Sequence, residues 1–315
     1  MLLKKYPLNK AIEIIGVKLG GCGISLEKAK NKITPIGYKI LHMRYFILLL
    51  TLLTVGQISA QRKPKIKGNK NVVDVQETLP AFSAIELNDD LEVHLQYGSE
   101  EGYEITADDN LIDVLKFRVE DSTLVISSFY NITGKKKLDI TIQYNYVNAI
   151  TVNDGKIILD GVLNSNELYV NTFGSSKIEL TADSQLINVN MEGSSSGEFS
   201  LTGGEMSFVL KDKSDARIYT VSDLNNVKMY KNAGAKMEGT ANELFADLME
   251  NSSLKGERLE AEKVFLNLQH SSSAEVNAIN SLELTSNGSS KTHLYGSPAI
   301  TILEFADTSE LHKEK

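Results

Sequence analysis

Small residues return about every twenty positions along the second half of this chain, and few architectures accommodate such a period. The groups are Gly174-Ser175-Ser176, Ser194-Ser195-Ser196, Ser214-Asp215-Ala216, Ala233-Gly234-Ala235, Asn251-Ser252-Ser253, Ser271-Ser272-Ser273 and Gly288-Ser289-Ser290. An interval of this size is that of a solenoid, in which each repeat contacts only its neighbours. An apolar series runs alongside: Leu168, Ile187, Met206, Val227, Ala246, Leu266, Leu282 and Ile300. Two residues beyond each lie Val170, Val189, Phe208, Met229, Leu248, Leu268, Leu284 and Ile302. The residue between the pair is polar in nearly every case (Asn188, Ser207, Lys228, Asp247, Asn267, Glu283, Thr301), with Tyr169 the exception. Apolar, polar, apolar is the signature of a strand with one buried face.

The intervals along this series are 19, 19, 21, 19, 20, 16 and 18 residues. After most small-residue corners comes another alternating run, as in Lys177-Ile178-Glu179-Leu180, Glu198-Phe199-Ser200-Leu201 and Glu275-Val276-Asn277-Ala278. Each repeat therefore holds at least two short strands and too few residues for a crossover helix. The expected fold is all-β: a parallel β-helix, or solenoid, of about 19-residue rungs. It is expected to be right-handed, as parallel crossovers generally are. A leucine-rich repeat would require Leu-x-x-Leu-x-Leu-x-x-Asn, which does not recur. A hairpin sandwich would show many Asn-Gly or Asp-Gly turns, and only Asp154-Gly155, Asp160-Gly161 and Asn287-Gly288 qualify.

From about 72 to 150 the chain alternates without repeating, in Ala84-Ile85-Glu86-Leu87, Leu91-Glu92-Val93-His94-Leu95, Leu124-Val125-Ile126-Ser127 and Leu138-Asp139-Ile140-Thr141-Ile142. An open parallel edge invites aggregation, so this strand-rich segment is expected to cap the first rung. Residues 151–303 are then the solenoid repeats. Pro298 and a charged tail, 304–315, are expected to blunt the last rung.

Ahead of the repeats the sequence reads as a targeting segment. Met43 and Arg44 precede an apolar run ending near Val55, then Gly56-Gln57-Ile58-Ser59-Ala60 and the polar Gln61-Arg62-Lys63. That is the organisation of a secretory signal peptide over 43–60, cleaved after Ala60, with 61–71 a linker. The apolar run is short for a membrane span. Residues 1–42 read as an upstream extension, with a long basic leader as the alternative. A third reading is a lipoprotein box at Leu19-Gly20-Gly21-Cys22, but Glu13 and Lys18 interrupt the apolar segment it requires. Removal of the leader would leave no cysteine and no membrane span. It would also leave 24 basic against 39 acidic side chains, a net charge of −15 in place of −8. So acidic a surface repels phosphate backbones, and nucleic acid is not an expected partner.

The run Ala81-Phe82-Ser83-Ala84-Ile85-Glu86-Leu87 resembles the opening of the head GIN domain of auto-transporter adhesins. So do Tyr103-Glu104-Ile105-Thr106-Ala107-Asp108-Asp109-Asn110-Leu111-Ile112 and Val119-Glu120-Asp121-Ser122-Thr123-Leu124-Val125-Ile126. The small-residue corners are similar to that family's Gly-Ser-Gly turns, and Tyr295-Gly296-Ser297-Pro298 to its closing turn. The resemblance covers about residues 72–303. It departs at Ser214-Asp215-Ala216 and Ala233-Gly234-Ala235, which places the corner geometry there in question. It implies a β-helical protein of the bacterial envelope (periplasm, outer-membrane surface or secreted) with no cofactor and no defined catalytic residues. Only about a dozen residues follow Ile302, so a translocating barrel of its own is not expected.

His42, His94, His270, His293 and His312 have no metal-ligand spacing, and no metal is expected. His270 beside Ser271, Ser272 and Ser273 has the residue types of a base and nucleophile, yet the same serines recur at corners without a histidine. Asp212, Asp215 and Arg217, with Asp183 about one and a half rungs earlier, are the nearest approach to an acid-base cluster. Asp89-Asp90 and Asp108-Asp109-Asn110 lack the spacing of a calcium loop. Gly203-Gly204 lacks the Lys-Ser/Thr of a phosphate loop. The expectation is a non-catalytic, adhesin-like surface protein presenting Asn188, Asn190 and Lys228 outward to an unassigned ligand, glycan or protein, with an oligomer open. The alternative is a glycan-active lyase or hydrolase built on Asp183, Asp212, Asp215 and Arg217.

Intact mass of the exported protein should place its N-terminus within a few residues of Gln61. A fatty-acylated Cys22 would overturn the signal-peptide reading.

Overall fold

Parallel pairing at intervals near nineteen residues builds the molecule. The structure, a computed structural model, describes Lys63–Lys315. The expected signal peptide, the residues ahead of it, Cys22 and His42 lie outside the described residues. The solenoid begins with β3 (Ala84–Leu87) and β4 (Glu92–Tyr97), on which β10 (Ala149–Val152) and β11 (Lys156–Asp160) stack in parallel. Next come β12 (Leu163–Thr172), β13 (Lys177–Met191), β14 (Ser196–Leu210), β15 (Asp215–Met229), β16 (Gly234–Leu248), β17 (Ser253–Leu268) and β18 (Ser273–Ser286), each parallel to the one before. The stack closes with β19 (Lys291–Gly296), β20 (Ala299–Phe305) and β21 (Glu310–Lys313). The result is a nearly all-β solenoid of about nine turns.

The two strands expected per rung are fused. In β15 the inward side chains are Ala216, Ile218, Thr220 and Ser222, and then Asn225, Val227 and Met229. The three-residue step from Ser222 to Asn225 marks a bend that divides each rung into a first and a second arm. Backbone crowding at the bend selects glycine in the rung below: a Cβ on Gly203 would lie 1.7 Å from the Ser184 carbonyl. Gly203-Gly204 is thus a place of close chain approach.

Every full rung closes at a corner with one residue in the left-handed conformation. These are Gly155, Gly174, Gly193, Asp212, Lys231, Glu250, His270, Gly288 and Asp307, all with φ between 59° and 83°. At the seven corners from Gly174 to Gly288 a small side chain is buried two residues later: Ser176, Ser195, Ser214, Ala233, Ser252, Ser272 and Ser290. The small tripeptides of the sequence mark these corners but drift in phase by up to two positions. Volume is what the buried position selects, since Ala233 fills it and the hydroxyls of Ser176, Ser214 and Ser272 have no hydrogen-bond partner. Corner amides bond to the carbonyl one rung earlier, for instance Asp215 N–H to Ser195 (3.0 Å) and Gly234 N–H to Ser214 (2.9 Å). The departures at Ser214 and Gly234 therefore leave the corner geometry unchanged.

The apolar columns hold with one correction. Val189 pairs with Phe208 and Phe208 with Val227, whereas Met206 pairs with Asn225. A series of apolar residues omits the polar Asn225, which shifts it by two residues and produces the intervals of 21 and 16. Asn225 is fully buried, with its Oδ1 3.4 Å from the Thr220 hydroxyl. Ile300 and Ile302 lie in the columns by register but are 46% and 50% exposed, with no further rung on them among the described residues. Part of the segment expected as a charged tail, 304–315, is strand: β20 runs to Phe305 and β21 spans Glu310–Lys313.

At the opposite end β7 (Thr123–Ser128) and β9 (Leu138–Tyr144) lie parallel on β3 and β4 and then turn the ladder antiparallel. β6 (Leu115–Glu120) pairs antiparallel with β7, while β5 (Gly102–Asp108) pairs with β9 and β2 (Val72–Thr78) with β5. Within the segment read as a linker, β1 (Lys65–Lys67) pairs with β8 (Asn131–Gly134). Asp108, fully buried at the start of the four-residue helix α1 (Asp109–Ile112), ties these loops together. Its carboxylate accepts the backbone amides of Lys70, Lys136 and Lys137 at 3.1–3.3 Å. Amide groups of Asn71 and Asn69 on the Asp109 carboxylate hold its pKa below the usual range. Asp89 accepts the Ser128 amide (2.7 Å) and the Lys63 ammonium.

Burying a charge in a dry column is costly, so Val189→Asp and Phe208→Asp should each destabilise by several kcal/mol, about 3 or more. Asn188→Asp, on the outward face of the same strand, should be nearly silent in thermal melts. The corners give a second pair of opposite sign. Gly193→Ala should lower stability by about 1–2 kcal/mol, since its Cβ would meet the Gly174 carbonyl at 2.7 Å in a left-handed backbone. Glu250→Gly should raise the melting temperature. Equal effects from both would remove the left-handed corner as a source of strain.

Candidate functional site

Outward residues repeat with the rungs, so a surface feature on this molecule is a ladder. Along the first arm Glu179, Glu198, Arg217 and Lys236 stand in one register row, and Thr181, Ser200, Tyr219 and Glu238 in the next. The two rows line a shallow groove of about 470 Å³ whose floor includes Leu180, Phe199 and Ile218. Tyr219, half exposed, projects an aromatic ring among the charges.

Charge in and beside the groove is paired across and along rungs. Across rungs, Arg217 Nη1 lies 3.0 Å from Glu198 Oε1 and Lys156 Nζ 2.6 Å from Glu179 Oε1; along one rung, Lys236 Nζ lies 2.7 Å from Glu238 Oε1. Arg258 approaches Glu238 from the following rung at 3.5 Å. The Lys236 ammonium, with Arg258, holds Glu238 below the usual carboxylate range, and the Glu179 carboxylate raises Lys156. Both shifts favour the charged forms, so neither group is tuned to exchange protons near neutral pH. What this arrangement does chemically is present fixed, alternating charges and hydroxyls beside one aromatic face.

The four residues of the sequence-derived cluster do not converge. Asp212 is the left-handed corner residue of its rung, where its carboxylate receives the Lys231 ammonium and the Gly193 amide (3.3 Å). Lys231 depresses the Asp212 pKa and is itself raised. Asp215 and Arg217 lie on the first arm, around a smaller hollow shared with Lys156, Lys177 and Glu198. Asp183 lines a different groove, at the bend, with Gln185, Asp223 and Glu260. His270 is a corner residue with φ 65°, and Ser272 beside it is buried. Asn190 donates to Asn171 (3.2 Å) on the outward face of the second arm, in the row that also holds Lys228.

Sequence reasoning singled out Arg217 but missed Glu179, Glu198, Tyr219, Lys236 and Glu238. A signal was present: each lies near nineteen residues from another member of its row. The remaining histidines sit on the surface, with His94 bound to Asp160 (3.1 Å), His293 to Glu314 (2.7 Å) and His312 to Glu310 (2.8 Å). Among the described residues, no group of three or more His, Cys, Asp or Glu side chains is placed to hold a metal ion. No helix among them is long and apolar enough to cross a membrane.

Comparison with known proteins agrees with this architecture. A crystal structure of a putative adhesin from Parabacteroides merdae is 15% identical, with a TM-score of 0.62 over 80% of this chain and 100% of that one. One of a putative lipid binding protein from Parabacteroides distasonis is 18% identical, with a TM-score of 0.57 over 80% of this chain and 100% of that one. A putative adhesin from the same organism gives 14%, 0.57, 79% and 99% for the same measures. At these identities the likeness shows the fold alone. None of the curated proteins compared matches the sequence. The family described as "Putative auto-transporter adhesin, head GIN domain" matches over residues 81–225 and 207–298, most of the described chain. Its span takes in the cap apart from β1 and β2, the groove and all but the last rung, and the chain belongs to that family.

Proposed function

We propose that this protein is an exported, non-catalytic surface module that holds an extended polar ligand, glycan or protein, along the groove of its first arm. The observation that carries the reading is the cross-rung pairing of Glu198 with Arg217 and of Glu238 with Arg258 beside the exposed Tyr219. Such groups offer hydrogen bonds and an aromatic contact at regular intervals along a rigid face. Preorganised side chains lose little entropy on binding, which suits a weak, repetitive, multi-point contact. The dispersal of Asp183, Asp212 and Asp215 over separate places, with Asp212 committed to Lys231, supports binding over acid-base chemistry. Export is supported by the signal-peptide pattern at 43–60, and an envelope or extracellular location by membership of the adhesin-like family.

Screening the purified protein on a glycan array and an extracellular-protein array, with a parallel assay for released reducing sugar, tests this. Tyr219→Ala should weaken binding most, as buried aromatic anchors dominate such contacts. Arg217→Ala should cost no more than about fivefold, the scale of an exposed ion pair. Asp212→Ala should leave binding unchanged. Glycan cleavage abolished by a single carboxylate substitution would make the protein a lyase or hydrolase instead.

A further inference from the structure

We propose that the small sheet formed by β1 and β8 at the cap is a docking surface for a membrane bearing anionic, phosphate-carrying lipid headgroups. This inference is independent of the groove. Residues 63–70 hold four lysines, residues 131–137 hold three, and neither stretch holds an aspartate or glutamate. The two stretches are far apart in sequence, and parallel pairing of Lys65 with Asn131 and of Ile66 with Ile132 brings them together. All seven lysines are exposed. Along β1, Lys65 and Lys67 are exposed while Ile66 between them is half-buried, and Ile132 packs against the core. The sheet thus turns its apolar side inward and its ammonium groups outward.

Little of this charge is neutralised locally. Lys63 pairs with Asp89 and Lys137 with Asp139, but among the described residues Lys65, Lys67, Lys70, Lys135 and Lys136 form no ion pair. Asp108 is taken up by the backbone amides of Lys70, Lys136 and Lys137, and Asp109 by the side chains of Asn69 and Asn71. The adjoining hollow sets Lys156 and Lys177 against Asp90, Glu92 and Asp154, so the excess belongs to the sheet and its loops. Elsewhere the described residues carry 16 Lys and Arg against 39 Asp and Glu. A long polyanion such as nucleic acid would run from the patch onto this acidic body, whereas a flat anionic surface can meet the basic face alone. Aromatic rings accompany the charge. Phe129 (53% exposed) and Tyr130 (37%) directly precede β8, and Lys116 Nζ lies 3.5 Å over the Phe129 ring. Lysines with exposed aromatic rings suit the headgroup layer, where the rings take the apolar boundary and the ammonium groups the phosphates.

Flotation of the purified protein with vesicles tests the surface. It should float with phosphatidylcholine vesicles that contain phosphatidylglycerol, stay behind with pure phosphatidylcholine, and be released by about 0.5 M salt, which screens surface attraction. Lys65→Ala combined with Lys67→Ala, at exposed and unpaired positions, should weaken binding about twentyfold. Lys255→Ala combined with Lys263→Ala, on the body of the solenoid, should leave it unchanged. Because the chain contains no tryptophan, Phe129→Trp gives a reporter of its own. Its emission should shift to the blue with the anionic vesicles and stay put with soluble dextran sulfate, while Phe245→Trp on the second arm should shift with neither. Equal flotation with neutral vesicles, no flotation with either, or indifference to the Lys65 and Lys67 substitutions would overturn the proposal. So would dextran sulfate binding without a vesicle-induced shift at residue 129, which would assign the patch to soluble polyanions.

Discussion

Each rung of this molecule is held to the next by parallel backbone hydrogen bonds in a register of about nineteen residues, and that ladder depends on a corner that turns the chain the same way every time. From Gly174 to Gly288 the turn uses one left-handed residue followed, two positions on, by a side chain small enough to lie inside it. Glycine supplies the first at no steric cost at Gly174, Gly193 and Gly288. Asp212, Lys231, Glu250 and His270 supply it against an intrinsic penalty that the neighbouring rungs outweigh. Amides immediately after each corner bond to carbonyls of the previous one, so the corners themselves form a continuous column of hydrogen bonds. Loss of register at one corner would turn buried side chains outward in every strand it joins.

A repeating backbone makes a repeating surface. Ion pairs such as Arg217–Glu198, Lys231–Asp212 and Lys263–Glu243 connect residues nineteen or twenty apart because those residues are neighbours in the stack. Individually such exposed pairs contribute little stability. Their consequence is positional: they hold long side chains in fixed rows along a rigid face, which is the property a binding surface needs. Phe245 and Phe265 stack on the second arm at 4.3 Å for the same reason.

The two ends of the stack solve the problem of exposed edges differently. At the N-terminal end the parallel ladder becomes antiparallel, and charged strands with the buried Asp108 close it. At the C-terminal end β20 and β21 repeat the pattern of their predecessors, and among the described residues nothing stacks on them. The same columns that bury Val189 and Phe208 in the interior therefore leave Ile300 and Ile302 uncovered. Burial here depends on position along the axis as much as on residue type.

The fold class, the period, the strand alternation and the strand-rich N-terminal segment were all legible from residue types, because period-two patterning and small-residue corners are local consequences of the backbone. Phase was less legible. Asn225 hides in a column that only its stacked neighbours reveal, and Asp212 or Lys231 at a corner looks like any surface charge until the backbone angle is known. The groove was hardly legible at all: Glu198, Arg217 and Tyr219 are ordinary polar residues in sequence and become a site when stacking brings them together. By itself, then, the amino-acid order determined that this chain coils, what it buries and roughly where it turns. Only the tertiary structure decided which residues share a row, that Asp183 and Asp212 stay apart from Arg217, and where the parallel ladder turns antiparallel, because contacts between rungs are made across nineteen residues of chain and exist only once the rungs are stacked.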